Sequence, residues 1–165
     1  MIFKMKTHTR KYTGYNPTRI YNKLTKKQAF ELELEIYKRV SGEENFPKLI
    51  SYNEKNMELQ IEHCGTSLNK LSKIQIENLD EQIENIVNVL EKNNIQHLDL
   101  HPSGKNLCYK DGKIYLIDYD IAVIDDKPLN KHLEMVNEDY KKIDIFSAIK
   151  SMFNGKKIIK GDANN

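Results

Sequence analysis

Residues 107–116 constrain what this chain can fold into more than any other stretch. Leu107-Cys108-Tyr109 and Ile114-Tyr115-Leu116-Ile117 are short runs of apolar, aromatic and β-branched residues. Between them, Lys110-Asp111-Gly112-Lys113 carries the Asp-Gly pair that a two-residue type I′ turn needs for its positive φ angles. A hairpin at this point sets its own two ends side by side. Asn106 stands just before the first strand and Asp118 just after the second, so antiparallel pairing returns both side chains to one end. Asp99 approaches that end on an irregular loop, His97 to Lys105, in which Pro102 and Gly104 forbid a continuing helix or strand. Two carboxylates and an amide oxygen therefore converge. Hard oxygen ligands of this kind suit Mg²⁺ or Mn²⁺, which need only one or two protein carboxylates when substrate phosphates complete the shell.

A rival reading uses the same loop differently. His97, Asp99 and His101 alternate, so in an extended segment they would share one face and could bind Zn²⁺ in a metal-dependent hydrolase. That reading leaves Asp118 without a role.

Composition narrows the class. At 165 residues the chain suits one domain or two small lobes with a real core. Lys and Arg number 26 against 24 Asp and Glu, and a net charge of +2 gives no reason to expect nucleic acid or a membrane surface as partner. Cys64 and Cys108 form neither a disulfide framework nor a paired zinc motif, so a reducing, cytoplasmic setting is the expectation. No long apolar span occurs, and Met1 to Lys6 lacks the apolar core of a secretion signal. Oligomeric state leaves no trace in the sequence.

Along the chain, residues 1–24 alternate basic, aromatic and β-branched positions around Gly14 and Pro17, which predicts two or three strands. Thr25 and Gln28 make a capping box that opens a helix ending at Ser41-Gly42. Residues 49–52 and 57–61 flank Asn53-Glu54-Lys55-Asn56 as a second hairpin, and residues 66–73 read as a short helix. Between Asn78 and Asn93, Leu79, Ile83, Ile86, Val87 and Leu90 recur at spacings of three and four, giving an amphipathic helix that leads into His97. Residues 121–136 lack a period. A last helix is expected from Asn137 to Phe153, with Tyr140, Ile143, Ala148, Ile149 and Met152 on its apolar side, and the tail from Asn154 is expected to fray.

At His97, Asp99, Leu100, Asn106 and Asp118 the chain resembles the protein kinase-like superfamily, whose catalytic loop is H-R-D-L-x-x-x-N and whose metal-binding Asp opens D-F-G after a following hairpin. Two departures are plain. Two extra residues lie between Asp99 and Asn106, and the triplet after the hairpin is Asp118-Tyr119-Asp120. The Asp-Leu-His-Pro wording is similar to the aminoglycoside and lipopolysaccharide kinases, with His101 where protein kinases usually carry Lys.

The resemblance implies an α+β, two-lobed fold, with residues 1–62 as a reduced small lobe and 63–165 as a truncated helical large lobe. It implies ATP-dependent transfer of the γ-phosphoryl group to a hydroxyl acceptor, with Ser or Thr of a protein foremost and a small molecule as the other possibility. Asp99 would be the catalytic base, and Asn106 and Asp118 the ligands of Mg²⁺ or Mn²⁺. Glu33, with Glu35 second, would pair with a phosphate-clamping Lys23, for which Arg19 and Lys11 are substitutes. ATP would lay its adenine on the main chain of Glu62 and Cys64 with Ile61 behind. His97 and Asp144 would support the loop. An Ala-Pro-Glu is missing, and so is a G-x-G-x-x-G loop; loss of that loop and the altered Asp-Phe-Gly make a pseudokinase that binds without turnover the alternative of a different class.

Overall fold

A computed structural model of the chain describes residues 7–11 and 24–160. In order they form β1 (Thr7–Lys11), α1 (Lys26–Val40), β2 (Leu49–Asn53), β3 (Glu58–Glu62), β4 (Thr66–Ser67), β5 (Lys73–Gln75), α2 (Leu79–Lys92), β6 (Ile95–Gln96), β7 (Leu107–Lys110), β8 (Lys113–Leu116), β9 (Val123–Ile124), α3 (Lys131–Tyr140), α4 (Ile145–Ser151) and β10 (Lys157–Ile159). Long helices and small, mostly antiparallel sheets make the fold α+β.

The first sheet runs β1-β3-β2, with β3 in the centre. Alternation along β3 buries Leu59 and Ile61 while β2, at the edge, is largely exposed. Against this sheet lies α1. Its capping box is complete, with the Thr25 hydroxyl accepting from the Gln28 N–H and the Gln28 side chain accepting from the Thr25 N–H, both at 3.0 Å. Two orphan donors are thereby satisfied at the helix start. Phe30, Leu34, Ile36, Tyr37 and Val40 enter the core from α1, and so does Glu33.

A second sheet, β4-β7-β8, contains the hairpin. Asp111 and Gly112 take φ of 50° and 82°, the type I′ geometry that the Asp-Gly pair predicts. Helix α2 packs its stripe of Ile83, Ile86 and Leu90 into the core. It is also bolted to the hairpin by polar groups. Gln82 Oε1 accepts from the Ile114 N–H at 3.0 Å and from Asn45 Nδ2 at 3.0 Å, while Gln82 Nε2 donates to the Gly112 carbonyl at 2.9 Å. Such a buried network fixes one register because any slip orphans several groups together.

Three expectations are corrected, and a stretch without a period proves to hold elements. Residues 66–73 are not a helix: Thr66 and Ser67 pair with Tyr109 and Cys108, leaving a single 3₁₀ turn at Leu68–Lys70 before β5. The last helix is two helices. Asp144 adopts extended angles (φ −86°, ψ 110°) and accepts from the Phe146 N–H, so an N-cap interrupts the run and leaves Ile143 45% exposed. Residues 121–136 are structured too, since Asn130 caps α3 through the Leu133 N–H at 2.8 Å. Finally, the tail forms β10, parallel to β5, a pairing across more than eighty residues that no local pattern announces. Most of residues 1–24, with Arg19 and Lys23, lies outside the described residues.

The network around Gln82 predicts a stability effect. Gln82→Leu orphans the Ile114 N–H and the Gly112 carbonyl, so urea denaturation is expected to show a loss of about 2 kcal/mol with an unchanged m-value. An unaltered midpoint would show that α2 and the hairpin are held by apolar packing alone.

Candidate functional site

The hairpin carries its order one step past the last ladder pair. Leu107 faces Leu116, and the Ile117 N–H donates to the Asn106 carbonyl at 2.9 Å. Asn106 and Ile117 are thus opposite each other, with Asp118 next in line. Asn106 is buried, and its Nδ2 donates both to the Asp99 carbonyl (2.9 Å) and to Asp99 Oδ2 (3.0 Å). One amide therefore fixes the Asp99 backbone and its carboxylate together. With Nδ2 committed to Asp99, the oxygen Oδ1 is the part of Asn106 left for a ligand. Lys105 Nζ lies 3.4 Å from the same Asp99 Oδ2.

His97 lies beneath this arrangement with no exposed surface. Its Nδ1 accepts from the Asp99 N–H at 3.1 Å, so Nε2, 2.9 Å from the Ile117 carbonyl, carries the proton and donates. The imidazole ties the loop before Asn106 to the strand end before Asp118. Leu98 and Asp118 sit at φ 66° and 65°, left-handed angles that side-chain-bearing residues rarely adopt. A backbone in that region persists where its surroundings over-determine it. Burial lowers the His97 pKa, outweighing the Ile117 carbonyl and the Asp118 and Asp99 charges, which act in the opposite sense.

Tyr119 completes the underside. Its ring meets His97 edge-on (centroids 5.1 Å apart) and Tyr37 of α1 (5.4 Å), and its hydroxyl donates to the Leu116 carbonyl at 2.9 Å. Burial raises its pKa well above the usual phenol value. The Tyr119 N–H donates to Glu33 Oε1 at 3.0 Å. Glu33, fully buried on α1, is thereby joined to the residue after Asp118. Glu35 instead turns to Arg39, 3.0 Å away.

Above these groups is a cleft of about 200 Å³. Ile61, Glu62 and Cys64 line it together with Lys105, Asn106 and Asp118. The Glu62 N–H is already engaged by the Lys48 carbonyl at 2.9 Å, so this segment offers a ligand the Glu62 carbonyl and the main chain of Cys64. Burial pushes the Cys64 thiol up to about 12, and also raises Cys108, so both remain protonated. Close approach explains Gly65, whose φ is 93°: a Cβ there would lie 2.2 Å from the Tyr109 carbonyl oxygen. A larger cavity, about 670 Å³, lies at the far end of the hairpin beside Glu44, Asn78 and Asp111. It contains none of Asp99, Asn106 and Asp118.

Other expected residues stand apart. Asp144 is exposed, with its carboxylate accepting from the Phe146 N–H (3.1 Å) and the Ser147 hydroxyl (2.9 Å) at the start of its own helix. Lys23 and Arg19 lie outside the described residues, and Lys11 ends β1 opposite Glu58. The His97/Asp99/His101 metal reading is overturned. Leu98 breaks the extended run, both His97 ring nitrogens are spent, and His101 Nδ1 accepts from the Ser103 N–H at 3.1 Å. Among the described residues no three His, Cys, Asp or Glu side chains are placed to hold a metal. Sequence reasoning missed Lys105 and Tyr119. Of the two only Tyr119 left a signal, as the aromatic directly after Asp118.

No protein-family model matches the chain. No curated protein matches it either. Among solved structures, it is similar to the Cydia pomonella granulovirus kinase PK-1, at 22% identity and a TM-score of 0.48, over 72% of this chain and 42% of that one. The chain thus spans less than half the length of that kinase.

The His97 geometry is directly observable. Nitrogen-15 NMR of the imidazoles should show His97 in the Nε2–H form and still neutral below pH 6.5, the ordinary midpoint for histidine. Because the folded pKa is lowered, the unfolded chain binds the extra proton first, and stability should fall as pH drops below 6.5 towards the folded value. A His97 that titrates with the exposed histidines would contradict the double tether.

Proposed function

We propose that the chain is an ATP-dependent phosphotransferase of a reduced, two-lobed protein kinase-like fold, which transfers the γ-phosphoryl group to a hydroxyl acceptor, with Ser or Thr of a protein foremost. The observation that carries the reading is the convergence, at one hairpin end, of Asn106 and Asp118 on a single cleft with the Asn106 amide locked onto Asp99. Held beside the cleft by Asn106, Asp99 orients the acceptor hydroxyl and takes its proton as the oxygen attacks the γ-phosphorus. The bond to the β–γ bridging oxygen breaks, and ADP leaves with the electron pair. Little covalent work falls to the protein in such a reaction, so positioning and charge neutralisation carry the rate.

Asn106 Oδ1 and the Asp118 carboxylate fit a hard divalent cation, since both residues bring oxygen donors to one cleft and the competing Nδ2 is turned to Asp99. Mg²⁺ or Mn²⁺ bound there would neutralise the phosphates. Adenine would lie along Ile61 with its polar edge on the main chain of Glu62 and Cys64. Glu33 holds the Tyr119 backbone and with it Asp118. Its further pairing with Lys23 belongs to the same proposal, and so does a supporting role for His97 beneath the loop.

Calorimetry with wild type and two variants tests the reading. ATP is expected to bind far more tightly with Mg²⁺ than without. Asp118→Asn should lose that metal dependence by at least about tenfold, a cost of roughly 1.4 kcal/mol. Asp99→Asn should bind nearly as wild type yet transfer no phosphate from γ-labelled ATP. Absence of nucleotide binding in wild type, with or without the metal, would remove the proposal; binding without any turnover would favour the pseudokinase.

A further inference from the structure

The loop between Asp99 and Asn106 is two residues longer than the kinase-like pattern, and the extra length is not slack. Lys105 Nζ pairs with Asp99 Oδ2 at 3.4 Å, and Lys105 lines the cleft next to Asn106. Its backbone is held on both sides. The Ser67 hydroxyl shares its proton between Asn69 Oδ1 (2.6 Å) and the Lys105 carbonyl (3.0 Å), and the Lys105 N–H donates to Ser103 Oγ at 3.3 Å. Gly104, at φ 76°, packs so tightly on Leu68 that an added Cβ would lie 3.0 Å from its side chain. A lysine on a loop so anchored is placed, even though its side chain is half exposed.

Charge gives the placement a meaning. Glu62 and Asp118 line the cleft and Asp99 stands beside it, so a polyphosphate entering there meets carboxylates. Among the described residues lining the cleft, Lys105 carries the one ammonium. Asp99 Oδ2 already receives Asn106 Nδ2 and Lys105 Nζ, which leaves Oδ1 for an acceptor proton. The ammonium is thus beside the base and on the same cleft as Asn106 and Asp118, the ligands proposed for the metal.

Building on the proposed function, we infer that Lys105 is a catalytic residue whose ammonium donates to a non-bridging oxygen of the γ-phosphoryl group. It holds that group in line with the hydroxyl oriented by Asp99 and neutralises charge on it as the bond to ADP breaks. Lys105 keeps its proton throughout, while the acceptor's proton goes to Asp99. The longer loop thus supplies a cation to the cleft from the Asn106 side, while the His101 ring is folded back on Ser103.

The test compares two ligands that differ by the γ-phosphate. Calorimetry in Mg²⁺ with ADP and with a non-hydrolysable imido analogue of ATP should show Lys105→Ala weakening the analogue about tenfold and ADP less than about twofold. Lys105→Arg should recover most of the difference. Lys113→Ala, a charge removed at the far end of the same hairpin where Lys113 lies 3.9 Å from Glu44, should change neither affinity. Equal losses for both ligands in Lys105→Ala, or none, would overturn the role of Lys105 while the phosphotransferase reading stands. A wild type that binds neither ligand would overturn that reading and this one together.

Discussion

One buried imidazole holds the candidate site in shape. His97 accepts from the Asp99 N–H through Nδ1 and donates to the Ile117 carbonyl through Nε2, so it spans the loop and the strand that carry the site's two carboxylates. Neither segment has a regular ladder to fix it at that point, and Leu98 and Asp118 are both in left-handed backbone. In water such a turn would relax. Enclosed with no exposed surface, the ring makes two hydrogen bonds that have no solvent substitute, and breaking either orphans a buried polar group. Burial also keeps the ring neutral, which the acceptor role of Nδ1 requires.

From this centre the polar connections run outward to α1. Glu33 reaches the Tyr119 N–H, and six residues later on the same helix Arg39 grips Asp125 in a fork, with two contacts of 2.8 Å. Arg39 also donates to the Asn93 carbonyl at the end of α2 (2.9 Å) and to Glu35 (3.0 Å). The Asp125 carboxylate raises the already high pKa of the guanidinium, and Arg39 holds Asp125 below the usual carboxylate range. Both partners are partly exposed, so the gain in stability is small, but the planar fork specifies an angle of approach that a lysine would not. Helix α1 is thus tied at two points, on either side of its buried Tyr37, to the segment 118–125.

Much of this was legible in the residues, and the pattern of success is physical. The capping box at Thr25 and Gln28, the stripe of α2 and the Asp111-Gly112 turn each rest on interactions within a few residues, and each appears where the spacing predicts it. The convergence of Asn106 and Asp118 followed because a hairpin converts a local turn into a distant meeting. What could not be read depends on partners remote in the chain. Strand β10 exists through its pairing with β5, and the short helix expected at 66–73 gave way to pairing between β4 and β7. The cap that Asp144 makes on its own helix was not legible, because a carboxylate at a helix start reads alike whether it serves a distant loop or its own helix. Lys105 was passed over since a lysine in a glycine-containing loop looks solvated until its backbone anchors on Ser67 and Ser103 are seen. Glu33 could be placed only by register, because α1 buries it on the same broad face as Ile36 and Tyr37.

The central claim is that the hairpin's open end, and not the larger cavity at its turn, is where metal and nucleotide meet. Paramagnetic broadening by Mn²⁺ tests it most directly, because the effect falls steeply with distance and needs neither an acceptor nor turnover. With ¹⁵N-labelled protein and Mn²⁺–ADP, the account predicts that the Asn106 side-chain amide and the backbone amides of Ile117 and Asp118 broaden beyond detection while Gln82 and Gly112 stay sharp. Broadening centred on Glu44, Asn78 and Asp111, with Asn106 and Asp118 unaffected, would contradict it.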